Sequence, residues 1–179
     1  MADGSKVSIP QLMNDYMKTP PVDVVSLAQA IGYEVISIEF KKANPKFENM
    51  FFVYHDLKSN INTIAVDKTE EEKRKRFAIA IGIALIQSSF TDRLEEGVIF
   101  KWVDEGICSA PVLSEAENDE IKRSALELLI PSDLLLGEVM KVQGKENTNS
   151  LFDSLLSLFD VSKDMLNARI RYLLLAKKK

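Results

Sequence analysis

The sequence predicts an α+β fold in which a small antiparallel sheet packs on a central buried helix and the C-terminal part is helical. The stretch FAIAIGIALI, residues 77–86, is apolar apart from Gly82, so this helix has no polar face and other elements must surround it. Short stretches in which apolar and polar residues alternate precede the helix, which is typical of strands. Apolar residues at helical spacing follow it and predict further helices.

The elements before the central helix follow from local patterns. Apolar residues at helical spacing predict a first helix over 9–17, and Pro20 and Pro21 end it. The segment VDVVSLAQAI predicts a second helix with Gly32 as its left-handed exit. YEVISIEF then predicts a strand, and MFFVYHD and INTIAVD predict an antiparallel hairpin with its turn at 57–60.

Two capping signatures mark the longer helices. Thr69 stands three residues before Glu72, and Ser114 stands three residues before Glu117, so each pair predicts a capping box. Between these helices, VIFKWV is interpreted as a brief strand. Residues 104–114 are interpreted as irregular.

The C-terminal part is predicted to be helical throughout. Pro131 ends the helix that begins at Ser114, and a short helix follows up to Gly144. The polar string KENTNS is interpreted as a linker. Beyond it, two helices are predicted, hinged at 160–162 with Ser162 as the cap of the second.

Length and charge limit the function classes. A chain of 179 residues predicts one domain, with an N-terminal helix in 1–20, a core in 21–144 and a helical tail in 145–179 that packs on the core. The net charge of -4 gives no global attraction to nucleic acid or to an anionic membrane. The longest apolar run is about half of the roughly 20 residues that cross a bilayer. With Cys108 as the only cysteine and no signal core, we expect a cytoplasmic protein without a cofactor.

Four strings, in order, resemble the ImmA/IrrE family of metallopeptidase-like proteins. PVDVVSLAQAIGYEV is similar to that family's opening helix and strand, and KRKRFAIAIGIALIQSS is similar to its active-site helix. ENDEIKRSALELLIP resembles the helix that carries the third metal ligand, and FDVSKDMLNARIRYLLL resembles the closing segment. The likeness spans residues 21 to about 175. It implies a zincin-like metallopeptidase scaffold.

The active-site motif of the family is degenerate in this chain. When Arg76 and Phe77 are set on the family's Arg-Phe pair, Ile81 and Leu85 take the places of the two zinc histidines. Gly82 takes the place of the general-base glutamate, and Glu120 falls on the third ligand. A catalytic zinc needs three protein ligands and a base, so the resemblance implies a scaffold without metal or catalytic residues.

The expected function is therefore that of a catalytically inactive regulatory protein from a phage or mobile element. Active relatives act on Xre-type helix-turn-helix repressors, so the implied partner is a protein of that kind. One alternative is a metallopeptidase with relocated ligands, drawn from His55, Cys108 and Glu120. A second alternative is a DNA-binding regulator whose C-terminal helices contact DNA through Asn167, Arg169 and Arg171. The net negative charge does not favour nucleic acid.

Overall fold

The computed structural model describes residues 8–40, 51–56, 61–88, 99–103, 106–108, 113–142 and 148–176. Within this part of the chain the helices are α1 (Ile9–Tyr16), α2 (Val24–Ala30), α3 (Glu72–Gln87), α4 (Glu115–Leu129), α5 (Ser132–Val142), α6 (Thr148–Phe159) and α7 (Lys163–Ala176). The strands are β1 (Glu34–Ile38), β2 (Phe51–Asp56), β3 (Ile61–Asp67), β4 (Ile99–Val103) and β5 (Gly106–Cys108). The α+β class is therefore confirmed.

The strands form one mixed sheet in the order β1-β3-β2-β4-β5. β2 and β3 make the predicted antiparallel hairpin, with Val53 opposite Ile64, and β4 and β5 continue the sheet antiparallel. β1, however, pairs with β3 in parallel, with Glu34 opposite Thr63. The prediction of an antiparallel sheet is therefore wrong at its first strand.

β1 lies beside β3, at the outer edge of the hairpin. It runs in the opposite direction to β2, and since β3 also runs opposite to β2, β1 and β3 are parallel. Alternation of apolar and polar residues determines which face of a strand is buried, but it carries no information about the neighbouring strand or its direction. β4 confirms the interpretation of VIFKWV as a strand, whereas β5 lies in a stretch predicted to be irregular. The predicted turn at 57–60 lies outside the described residues. Residues 143–147 also lie outside the described residues. The remaining residues of the predicted KENTNS linker, 148–150, belong to α6.

The central helix α3 is buried along its second half, where every residue from Ile79 to Ile86 is shielded from solvent. It packs against β3, α4 and α2. A Cβ atom on Gly82 would lie 3.2 Å from Ile64 Cδ1 and 3.3 Å from Val53 Cγ2. Glycine at this position therefore allows the helix to lie close against the hairpin.

The main hydrophobic cluster extends from Met13 in α1 to Leu166 in α7. Phe159 at the end of α6 is fully buried in it, as are Leu128 and Leu129 of α4. Side chains of the C-terminal helices thus belong to the same cluster as the central helix. Among the described helices, none has the length and apolarity to cross a membrane.

The two predicted capping boxes have different outcomes. At α4 the box is confirmed: Glu117 N–H donates to Ser114 Oγ at 3.3 Å, and Ser114 N–H donates to Glu117 Oε2 at 2.7 Å. At α3 the prediction is wrong, since the helix begins at Glu72 and Glu71 is its N-cap. Thr69 instead donates to Asp67 Oδ1 through its N–H at 2.9 Å and its hydroxyl at 2.7 Å. The Thr69 N–H, which a capping box would donate to the Glu72 carboxylate, donates instead to the Asp67 carboxylate at the end of β3.

Replacing Ser114 by alanine is expected to lower the free energy of unfolding by about 1 kcal/mol, because the capping box at α4 loses its hydroxyl acceptor. In a thermal melt this corresponds to a fall of about 2 to 4 °C. Ser157→Ala, at an exposed site within α6, is the matched control and is expected to leave the melting temperature within about 1 °C. Equal shifts for the two variants would contradict the capping role.

The hinge between α6 and α7 is tied to the first half of α3. Asp160 has a φ of 50°, and Ser162 Oγ accepts from the Met165 N–H at 3.3 Å, which confirms the predicted cap. Lys73 Nζ donates to the Val161 carbonyl at 3.2 Å, and Arg76 donates to the Phe159 carbonyl at 3.4 Å. The charged half of the central helix thus positions the C-terminal helices.

Candidate binding cleft

A cleft of about 600 Å³ opens beside the first half of α3. The end of β3, α4 and the first turns of α7 form its other walls. Its lining combines apolar and charged side chains. The apolar ones include Phe77, Ala78, Ile81, Leu126 and Met165, and the charged ones are Asp67, Glu70, Glu71, Arg74, Lys75, Lys122 and Asp164.

The four residues aligned with the family's zinc site do not come together in this cleft. Ile81, in the place of the first histidine, lies in the cleft wall and is almost fully buried. Gly82 faces Ile64 and Val53 of the hairpin, and Leu85 is buried. Glu120 is exposed on α4 and does not line the cleft. Three of these aligned positions serve packing, and Glu120 is exposed.

These residues do not fit a catalytic zinc ion. Isoleucine, glycine and leucine offer no donor atom, and a single carboxylate cannot supply the three protein ligands that such an ion takes. Among the side chains that the structure describes, no three histidine, cysteine, aspartate or glutamate residues converge on one point. His55 on β2 and Cys108 on β5 have side chains outside that set, so the relocated-ligand alternative stays untested for them.

Added zinc is expected neither to bind nor to raise the melting temperature, because the aligned positions lack donors. The measurement is a thermal melt with one equivalent of Zn²⁺ and again with excess chelator, alongside metal analysis of the purified protein. Stoichiometric zinc together with a chelator-sensitive melting temperature would show that other ligands rebuild the site.

The charged lining is partly neutralised by ion pairs along α3. Arg74 Nε lies 2.6 Å from Glu70 Oε2, and Lys75 Nζ lies 2.7 Å from Glu72 Oε1. Asp67 differs from these residues because it is only 2% exposed. Its Oδ1 accepts both bonds from Thr69, whereas its Oδ2 has no hydrogen-bond partner among the described residues.

Asp67 lines the cleft although the sequence pattern does not single it out. It ends a strand in which Thr63, Ile64, Ala65 and Val66 are all buried, and the structure extends this burial to the carboxylate. The only signal in the sequence is an acidic residue that follows a strand directly and precedes a helix. That signal is weak, because aspartate is common in turns for its own hydrogen bonding.

The three residues of α7 that were predicted to contact DNA do not form one exposed surface. Asn167 and Arg171 are exposed, but Arg169 is 3% exposed. Arg169 Nε donates to the Ile130 carbonyl at 3.0 Å, and its guanidinium also bonds Ser132 Oγ and pairs with Glu127. The prediction that Arg169 faces DNA is therefore wrong, because its side chain joins α7 to the α4–α5 junction.

The charge of Arg169 persists at neutral pH. Burial, and to a smaller extent the charge of Arg123, lowers the pKa of Arg169 to about 10. This value still lies well above 7, so the guanidinium remains a cation that can pair with Glu127. Arg169 is a structural ion in the interior, not a surface contact.

One edge of the cleft is held by a polar cluster between α4 and α7. Tyr172, which lines the cleft, donates its hydroxyl to Asp119 Oδ1 at 2.6 Å. The Arg123 guanidinium lies 5.2 Å from the centre of the Tyr172 ring, which is a cation–π distance. Burial and the bond to Asp119 raise the pKa of Tyr172 to about 12, so the hydroxyl keeps its proton at neutral pH. The cluster joins α4 to α7 at this edge of the cleft.

Fold and cleft together define an α+β protein with a buried central helix and a cleft beside it that is a candidate binding site. The chain matches no protein-family model, and a search of curated proteins gives no match either.

Proposed function

We propose that the protein is a regulatory protein on an ImmA/IrrE-like, zincin-like scaffold, which acts in the cytoplasm by binding a protein partner and not by catalysis. The observation that carries this proposal is Ile81. It stands where the family has its first zinc histidine, and it lines the cleft beside Phe77, Leu126 and Met165. A position that would hold a metal ion in an active relative is part of the buried apolar wall of the cleft in this chain.

The composition of the cleft favours a protein segment as its occupant. Its lining combines buried apolar side chains, such as Ile81 and Leu126, with exposed charged side chains, such as Arg74 and Asp164. Recognition surfaces commonly have a hydrophobic centre and a polar rim. The volume of about 600 Å³ is large enough for a few side chains of a partner. The family resemblance directs the proposal to an Xre-type helix-turn-helix repressor, encoded by the same phage or mobile element.

Affinity capture with a cleft-blocking variant tests this function. Ala78 is half-buried in the cleft wall, so Ala78→Trp should fill the cleft and abolish capture of the partner. Ala30→Trp, at an exposed site on α2 away from the cleft, is the matched control and should retain capture. Thermal melts of both variants establish that they are folded.

The supporting result is a helix-turn-helix repressor that is captured by the wild type and by Ala30→Trp, is lost with Ala78→Trp, and keeps its full mass after incubation. A partner that binds Ala78→Trp as well as the wild type would exclude the cleft as the contact. Shortening of the repressor would contradict the absence of catalysis.

A further inference from the structure

We infer that a second pocket, lined by α1, α4 and α7, binds a small aliphatic carboxylate, and that Arg123 receives the carboxylate group. The pocket has a volume of about 570 Å³, which lies in the range of sites for small molecules. Tyr172 is the one residue that lines both this pocket and the cleft. The pocket is otherwise separate from the proposed partner site, so a ligand in it does not depend on the partner.

The apolar part of the lining suits an aliphatic chain. Pro10 is exposed, and Met17 and Leu173 are half-buried, so part of each side chain remains accessible to a ligand. Met13 and Leu128, which are buried, complete this wall. Methionine side chains adapt their shape to an apolar neighbour. A short hydrocarbon chain in the pocket would therefore exchange water for apolar contacts.

Arg123 is an accessible donor in this lining. Its side chain is 57% exposed, and its Nη2 donates to Asp119 Oδ2 at 3.2 Å. Because both partners of this pair are exposed to solvent, the pair contributes little, and the other guanidinium nitrogens donate to no described residue. The guanidinium lies 5.2 Å from the centre of the Tyr172 ring, whose hydroxyl is bonded to Asp119. These contacts reduce the conformational freedom that Arg123 would lose on binding a carboxylate through two N–H groups.

The charges of the lining favour an anion over a cation. The ionic side chains among its residues are Arg123, Arg169 and Glu127. The Glu127 carboxylate accepts the N–H and the hydroxyl of Ser132, each at 3.0 Å, and pairs with Arg169, so its charge is compensated. Arg169 is 3% exposed, and burial together with the charge of Arg123 lowers its pKa to about 10. The two cations therefore repel each other, and an anion at Arg123 would reduce that repulsion.

Titration with matched small molecules tests the inference. The probes are hexanoate, its neutral analogue hexanamide, and acetate, each added to ¹⁵N-labelled protein. Hexanoate is expected to shift amides of 13–17, 123–128 and 169–173, and to bind about tenfold or more tightly than either of the other probes. Arg123→Met should abolish the advantage of hexanoate over hexanamide. Arg171→Met removes an exposed arginine that lines neither pocket, and it should preserve that advantage.

A second variant protects the test against an effect of Arg123→Met on the Tyr172 cluster. Ser124 is exposed and lines the pocket, so Ser124→Trp should fill it and abolish hexanoate binding while Arg123 stays in place. Ser157→Trp, at an exposed site on α6 that lines neither pocket, is the matched control, and thermal melts establish that both variants are folded. Equal affinity for hexanoate and hexanamide, acetate binding as tight as hexanoate, or an unchanged advantage in Arg123→Met would overturn the inference. So would hexanoate binding to Ser124→Trp, or the absence of shifts with hexanoate up to about 10 mM.

Discussion

Replacing Gly82 by glutamate, which places a carboxylate at the position aligned with the general base of the metallopeptidase motif, is expected to unfold the protein. The first atom of the new side chain would lie 3.2 Å from Ile64 Cδ1 and 3.3 Å from Val53 Cγ2. Both neighbours are buried β-branched residues on strands, so they have little freedom to move aside. The carboxylate would also be desolvated without a metal ion or a counter-ion. Overpacking and charge burial together are expected to exceed about 4 kcal/mol, which is a large part of a typical domain's stability.

Gly137 on α5 provides the matched control, because a Cβ atom there meets nothing within 4 Å. Gly137→Glu is expected to change the free energy of unfolding by no more than about 1 kcal/mol, with the sign favouring stability since glycine is a poor helix former. Gly82→Ala is the graded form of the test and should lower stability by about 1 kcal/mol or more. Thermal melts and the soluble fraction measure all three. A folded Gly82→Glu protein with wild-type stability would mean that the helix does not lie against the hairpin at this point.

Replacing Arg169 by methionine is expected to lower the free energy of unfolding by about 3 kcal/mol, which is a fall of about 6 to 12 °C in melting temperature. Methionine keeps most of the volume but leaves the Ile130 carbonyl without its donor and Glu127 without its cation. The effect is placed at the lower end for broken buried pairs because the Glu127 side chain is 39% exposed and water replaces part of the lost attraction.

The exposed Arg171, two residues away on the same helix, is the control for charge. Arg171→Met is expected to change stability by no more than about 0.5 kcal/mol. Adding Glu127→Gln to Arg169→Met should restore part of the loss, because the amide can still accept from the Ser132 N–H without carrying an uncompensated charge. If Arg169→Met and Arg171→Met destabilise equally, the buried pair has no structural role.

The sequence predicts the elements of this fold well where their signals are local. The apolar run that ends at Ile86, the exit at Gly32 and the box at Ser114 each depend on residues within a few positions of one another. The parallel pairing of β1 with β3 depends on two segments that are distant in sequence, so alternation could not predict it. The Thr69 prediction is wrong because the Asp67 carboxylate accepts the Thr69 N–H, the donor that a capping box would pair with Glu72. The motif itself has the same form as the correct one at Ser114.

The residues of the candidate site also differ in how far the sequence predicts them. That Ile81 and Leu85 are core residues follows from their apolar neighbours and is confirmed by their burial. Arg169 was missed as an interior residue although it follows Met165 and Leu166 by four and three positions, a spacing that places it on the buried stripe of α7. Asp67 could not be identified from the sequence. One of its carboxylate oxygens has no hydrogen-bond partner among the described residues, and only the folded structure shows this.

The hinge at 160–162 has a consequence for how its sequence can change. Lys73 and Arg76 donate to the carbonyls of Val161 and Phe159, which every amino acid possesses. These bonds therefore select the path of the main chain and not the identity of the residues along it. The identities of the hinge residues are restricted in other ways. Asp160, with a φ of 50°, favours residues that tolerate the left-handed region, such as glycine, asparagine and aspartate. Val161 is restricted by its burial, and Ser162 by its role as the cap of α7. A substitution along this connection therefore leaves the acceptors of Lys73 and Arg76 in place as long as the path of the main chain is kept.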